Sequence, residues 1–263
     1  MSLKITVLGC GNSSGTPSVG NYWGMCDPSE PKNRRNRACL AVQSDDATVI
    51  IDTGADFRHQ MNAFDISALD GVFYTHHHSD HCHGIDDLRS MFFRNERKSI
   101  PCFGHKESLE EILLKFHYLF KGGNNERYYP PMLDAHVFDA AQYGRVQNFK
   151  DIEFIPYEMD HGSCMSVGYR FGSLAYSVDM KTLDQKALDV IKGSDIWVVD
   201  GAGYHADDNA VHANLKALYE YNDYIGAKSV YVTCLSSAMD YKTLCDELPV
   251  GFYPAYDGLA FEL

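Results

Sequence analysis

The sequence predicts an α/β fold in which two β-sheets lie between helical layers. Two observations predict it: short β-rich runs recur in both halves of the chain, and amphipathic helical patterns are interposed later in each half. A length of 263 residues suits one large α/β domain, residues 1–263. The runs, in order, are Ile5–Leu8, Cys39–Gln43, Thr48–Ile51, Gly71–Tyr74, Ile152–Tyr157, Val167–Phe171, Leu174–Ser177, Ile196–Val199 and Ser229–Thr233. Each is rich in β-branched or aromatic side chains and bounded by Gly, Asp, Ser or Asn. The first helical pattern, Ser108–Phe120, places Leu109, Ile112, Leu113, Phe116 and Leu119 at helical spacing behind a Ser108-x-x-Glu111 capping box. Leu183–Ile191 and Ala213–Tyr221 repeat the spacing. Two long loops separate the elements, Gly11–Arg37 with its basic run Lys32-Asn33-Arg34-Arg35-Asn36-Arg37, and Gly122–Leu133. Long loops in a compact domain are often functional.

Hydrophobic residues make up 45% and charged residues 22%, ordinary for a soluble globular protein. No apolar run reaches the roughly 18–20 residues of a membrane span. The start, Met1 to Gly9, reads as a first strand rather than a secretory signal, so a cytoplasmic location is expected. A formal charge of −13 argues against binding long nucleic acid, whose phosphates require concentrated Lys and Arg, but permits a small phosphorylated substrate beside bound cations. Eight scattered cysteines form no C-x-x-C pair and read mostly as small buried side chains in a reducing compartment. A homodimer is compatible with the sequence. Gly9–Gly15 lacks the spacing of a dinucleotide-binding turn and no helix pattern opens there.

The chemistry concentrates in Tyr74-Thr75-His76-His77-His78-Ser79-Asp80-His81-Cys82-His83-Gly84, directly after a predicted strand. In extended backbone, residues two apart face the same side, so His76 and His78 can grip one cation while Asp80 and His81 turn toward a second. Imidazole and carboxylate donors suit Zn²⁺, Mn²⁺ or Fe²⁺, and two such ions can activate a bridging hydroxide. His77 and His83 read as loop or helix-entry residues.

With these residues the sequence resembles the metallo-β-lactamase superfamily, whose H-x-H-x-D-H signature is met by His76, His78, Asp80 and His81. The resemblance implies a four-layer αββα sandwich with two divalent metal ions, Zn or Mn foremost and Fe as an alternative, at the strand ends between the sheets. Ile50-Ile51-Asp52-Thr53-Gly54 resembles the strand and turn preceding the signature. His161, in Met159-Asp160-His161-Gly162, matches the third histidine of the first site, and Asp179 the carboxylate bridging both metals. Within the superfamily, Gly9–Pro17, Trp23–Pro28, Pro31–Arg35, Gly84–Arg89 and Pro254–Leu259 resemble the phosphoribosyl cyclic-phosphate phosphodiesterase group. That group implies His212 as the residue that protonates the leaving oxygen or holds the phosphate, with His205 an alternative.

The pattern departs from the group at Cys234, which stands where the last metal histidine is expected; neither Ser236 nor Ser237 restores an imidazole. Cys234 is either a thiolate ligand or a buried thiol beside a weakened second site. Arg34 and Arg35, with Arg37, are candidates for bidentate phosphate contacts, against the ordinary reading of a solvated charge run. The sequence therefore points to a metal-dependent hydrolase, a phosphodiesterase of a small cyclic phosphate or nucleotide-like diester, in which a metal-bound hydroxide attacks phosphorus, Asp80 serves the metal site and His212 assists departure. A thioester, lactone or β-lactam hydrolase on the same scaffold is one alternative, and a non-catalytic nucleotide-binding accessory protein is another.

Overall fold

The computed structural model describes residues 2–125 and 127–263; Met1 and Glu126, which fall within the predicted first segment and second long loop, lie outside the described residues. The strands, in chain order, are β1 (Lys4–Gly9), β2 (Cys39–Gln43), β3 (Thr48–Ile51), β4 (Gly71–Phe73), β5 (Ile100–Gly104), β6 (Leu133–Val137), β7 (Gln147–Phe149), β8 (Ile152–Asp160), β9 (Met165–Phe171), β10 (Leu174–Ser177), β11 (Ile196–Asp200), β12 (Ser229–Thr233), β13 (Phe252–Pro254) and β14 (Ala260–Glu262). They form two seven-stranded sheets, in the orders β14-β1-β2-β3-β4-β5-β6 and β13-β12-β11-β10-β9-β8-β7. Each sheet is antiparallel on one side and becomes parallel on the other, from β3 to β6 in the first and from β10 to β13 in the second.

The side-chain alternation of a strand divides each run between two cores. Leu40, Val42, Val49, Ile51 and Phe73 face inward to meet Phe154, Tyr169, Phe171 and Trp197 of the second sheet. Their neighbours Cys39, Ala41, Ile50 and Val72 face outward beneath helices α1 (Phe57–Ala63), α2 (Ser79–Cys82), α3 (Leu88–Arg94), α4 (Lys106–Lys115) and α5 (His117–Lys121). The second sheet is covered by α6 (Gln185–Ile191), α7 (Leu215–Ile225) and α8 (Tyr241–Glu247), whose Ile191, Leu218 and Leu244 join the central core. This is the expected αββα sandwich. No helix among the described residues is long and apolar enough to cross a membrane.

Two local expectations are corrected. The pattern over Ser108–Phe120 is two helices, broken at Phe116, and the first begins at Lys106 with His105 at its N-cap. Ser108 is therefore buried inside the first turn and caps nothing, because β5, a short strand containing Pro101, delivers the chain to the helix earlier than the motif suggests. The later helices start at genuine caps: Asp184 accepts from Ala187 N, and Asn214 from Ala217 N. Of the eight cysteines, six are buried; Cys164 is half-buried and Cys245 exposed.

Candidate metal centre

The site forms where the C-terminal ends of strands from both sheets meet, the usual place for ligands in open α/β sheets. Asp52 follows β3 and His76 follows β4; His161 sits in the β8–β9 turn, Asp179 follows β10, Asp200 ends β11 and Cys234 follows β12. Hydrogen bonds hold the two edges together: Val167 N donates to Thr75 O at 2.9 Å and the Tyr169 hydroxyl to Tyr74 O at 2.8 Å. Past Tyr74 the chain stays extended to His78, the N-cap of α2, and the first turn of α2 then presents Asp80 and His81. One donor atom each from His76, His78, His161 and Asp179 lies within 4.8 Å of the others, and so do those of Asp80, His81 and Asp179. The structure thus brings together the six residues predicted for the two positions, with Asp179 common to both.

The far nitrogen of each buried imidazole is engaged. His81 Nδ1 donates to Asp52 Oδ2 at 2.7 Å and His161 Nδ1 to the Val211 carbonyl at 2.8 Å. Thr75 Oγ1 gives its proton to Asp52 Oδ2 at 2.7 Å, so at 3.0 Å it accepts from His76 Nδ1. This network assigns the tautomers and leaves Nε2 of each ring facing Asp179. Asp179 Oδ2 stands 3.5 Å from His76 Nε2, 3.3 Å from His81 Nε2 and 3.5 Å from His161 Nε2. Donors about 2.1 Å from a tetrahedral cation are about 3.4 Å apart, so the spacing fits donors gathered for a divalent cation. His76 tests the fit directly: it is fully buried, and its Nε2 has no hydrogen-bond partner. A cation is the partner such a nitrogen suits.

The electrostatics are polarised. Burial pushes His76 well below the usual imidazole range, with His81 adding to the effect. For His81 burial acts in the same direction, but Asp179 and Asp52 outweigh it and push the ring well above the usual imidazole range. Asp179 is likewise buried, and His81, His76 and His161 overcome that to keep its carboxylate ionised.

His212 lies beside this centre, its ring 5.2 Å from that of His161, and groups with Asp179 and Asp200. Its Nδ1 donates to Asp200 Oδ2 at 2.6 Å. The fully buried Asp200 is itself fixed by the backbone N–H groups of Met180 and Ala202. Burial disfavours the charged imidazole, but the bond to Asp200 prevails and raises its pKa to about 9. His205 is elsewhere, exposed and 3.6 Å from Glu247. His83 is an exposed C-cap residue of α2.

Cys234 is buried, with its sulfur 3.5 Å from Asp179 Oδ1, the oxygen turned away from the three imidazoles. Burial, then Asp200 and Asp179, push its thiol far above the usual range. Among the described residues it completes neither tight donor group.

The two arginines part company. Arg35 is buried and spends all five N–H groups inside the protein, on Lys32 O, Ser236 O, Cys26 Sγ, Asn33 Oδ1 and Met239 O. As a phosphate contact Arg35 is corrected: it ties the first long loop to the segment after Cys234. Arg34 is exposed over the Trp23 ring, and with Thr16, Arg37, Asp56 and His59 it lines a basin of about 370 Å³. Asp52 and Asp200, which orient His81 and His212, are the site residues whose roles the sequence did not assign.

A family model described as a β-lactamase superfamily domain matches residues 47–233. The chain belongs to the metallo-β-lactamase superfamily. Among solved superfamily folds, a diphosphatase of the PhnP family has a TM-score of 0.87 and 29% identity, covering 100% of this chain and 98% of its own. Human tRNase Z, short form, shares the fold at a TM-score of 0.69 and 13% identity, covering 98% of each chain. A curated octanoyltransferase of Porphyromonas gingivalis is 27% identical over 98% of this chain and 51% of its own length. Ribonuclease Z of Thermococcus gammatolerans is 27% identical over 54% of this chain and 42% of its own. The chain thus spans about half the length, or less, of these curated relatives.

Proposed function

We propose that this protein is a metal-dependent hydrolase cleaving a phosphodiester linkage in a small cyclic phosphate or nucleotide-like substrate. The observation that carries the reading is the single Asp179 oxygen set 3.3–3.5 Å from three Nε2 atoms, with the carboxylate-backed His212 at its margin. His76, His78, His161 and Asp179, and Asp80, His81 and Asp179, would hold divalent ions, which when bound would supply an activated water and positive charge for phosphoryl transfer. His212, kept protonated by Asp200, delivers a proton to the departing oxygen. Arg34 lines the neighbouring basin and holds the remote anionic part of the substrate, whereas Arg37 is paired there with Asp56 at 3.0 Å. An added Cβ on Gly54 would fall 2.0 Å from Asp80 O and 3.8 Å from Arg37 Cβ, so Gly54 packs between the backbone of Asp80 and a residue of the basin.

Cys234 is read as a fourth donor at the second metal position. Its sulfur lies 3.5 Å from Asp179 Oδ1, on the same carboxylate whose Oδ2 faces the imidazoles. A sulfur donor favours zinc over manganese. The diphosphatase of the PhnP family supports phosphoryl chemistry on a small substrate, and the charge of −13 speaks against long RNA despite the ribonuclease Z relatives. A cytoplasmic location accords with this reading.

The test is hydrolysis of bis(4-nitrophenyl) phosphate by protein loaded with Zn²⁺ or Mn²⁺. Turnover that Asp80→Ala abolishes is the expected result; a fully metal-loaded protein without turnover overturns the proposal. One observation favours a second reading, thioester hydrolysis: the similarity to an octanoyltransferase runs along 98% of this chain. Turnover of an octanoyl thioester with no phosphodiester hydrolysis would establish that alternative.

A further inference from the structure

Outside the shared carboxylate, His77, His78 and Cys164 also bring one donor atom each within 4.8 Å of one another. They come from two segments, the loop after β4 and the β8–β9 turn. Each residue is only partly buried. His77 is held in place by bonds to its carbonyl, from Lys115 Nζ at 3.0 Å and Cys82 Sγ at 3.3 Å. Its ring centroid is 5.4 Å from that of His78, and its Nδ1 is buried without a hydrogen-bond partner. This unsatisfied nitrogen is a second sign, separate from proximity, that a partner is missing from the protein's own bonding.

His78 has two faces. Its Nε2 lies 3.5 Å from Ser163 Oγ, in the turn that also carries Cys164. Two imidazoles and a thiol form a donor set for a soft, tetrahedral cation with one position left for water. Magnesium and calcium, which require oxygen donors, are excluded.

We propose that His77, His78 and Cys164 form an additional, inhibitory site for Zn²⁺ that shares His78 with the centre. Binding is a ligand exchange: the Cys164 S–H bond breaks as the sulfur–zinc bond forms, the N–H bond of the His78 nitrogen that takes the ion breaks as its nitrogen–zinc bond forms, both protons pass to solvent, and nothing is oxidised. The ion draws on the imidazole that also completes the first metal position. Excess zinc therefore weakens the centre through His78, and zinc supply sets the activity. The proposal rests on His78 serving that position, but counting bound metal requires no substrate and so stands or falls separately from the phosphodiester reading.

The experiment begins with zinc-loaded protein and titrates further Zn²⁺ under equilibrium dialysis, with metal counted by atomic emission. The wild-type chain is expected to take up one more zinc than Cys164→Ser, and excess zinc should inhibit the wild type at concentrations at least tenfold lower. Added Co²⁺ should give a thiolate charge-transfer band that persists in Cys234→Ser and is lost in Cys164→Ser, separating the two sulfurs. His77→Gln provides the same comparison with every thiol retained. Equal metal counts and equal inhibition in the wild type and both site variants overturn the proposal.

Discussion

Each imidazole at the centre is aimed by what its other nitrogen holds, so residues that need not touch an ion still govern its binding. Asp52 is the clearest case: Asp52→Asn keeps the shape but removes the carboxylate that receives His81 Nδ1–H and the Thr75 hydroxyl. Metal affinity is expected to fall about 10- to 100-fold, with activity recovering at high metal concentration. Competition against a graded chelator measures this, and unchanged affinity would show that Asp52 does not orient the site. His212→Asn tests the acid. It should lower kcat by about 10²- to 10⁴-fold with little change in KM. Because the folded pKa of about 9 lies above the ordinary value of about 6.5, the stabilisation from the His212–Asp200 pair is fully present below pH 6.5. It disappears as pH rises through about 9. Urea titrations at pH 6 and pH 10 should therefore separate wild type from His212→Asn more widely at the lower pH, and kcat should fall above about pH 9 only in the wild type. The histidine signature was legible because its spacing encodes which donors share a face. Asp52 and Asp200 were not, because their partners lie 29 and 12 residues away and meet them only after folding. The basic run misled at Arg35 for a related reason: three of its five acceptors are backbone carbonyls, which leave no trace in the sequence.

At the scale of elements, the site depends on strand ends that turn sharply. Asp52, Asp179 and Cys234, each just past a strand, have φ of 66°, 50° and 57°, a region unfavourable to residues other than glycine. Such strain concentrates at functional sites, where the surroundings enforce it. The turn after β3 is also packed tightly against α2: a methyl group on Gly54 would fall 2.0 Å from Asp80 O. Gly54→Ala should displace the α2 segment carrying Asp80 and His81, at a cost of about 1–3 kcal/mol. The readouts are a lower melting temperature and selective loss of metal from the Asp80–His81 position. A variant with wild-type melting and metal content would show that the backbone yields there at no cost. The predicted strands were found because alternation and β-branched composition agreed in them. β5, β6, β7, β13 and β14 were not read: three have only three residues, β5 carries a proline, and β6 is exposed over most of its length.

For the whole molecule, the important fact is that the donors come from both sheets. His76, His78, Asp80 and His81 follow the first sheet's β4, whereas His161 and Asp179 belong to turns of the second. Cations bound here therefore join the sheets across their open edge. The two-sheet architecture was visible in the order of runs and helices, but this convergence was implied only by the family resemblance, because no local pattern records which strand ends meet. A ligand bound only by the folded state stabilises it according to its concentration relative to Kd. Removal of metal by chelation should lower the melting temperature, with a loss of about 4 kcal/mol per site when free metal had stood at 1,000 times Kd. Ligand imidazoles must shed protons to bind a cation, and His81 holds its proton more tightly than an ordinary imidazole, so the metal-dependent increment should be larger at pH 8 than at pH 6. Thermal melts with and without chelator, repeated across that range, measure the increment directly. If removing the metal leaves the melting temperature unchanged at pH 8, the donors do not join the two sheets through a cation.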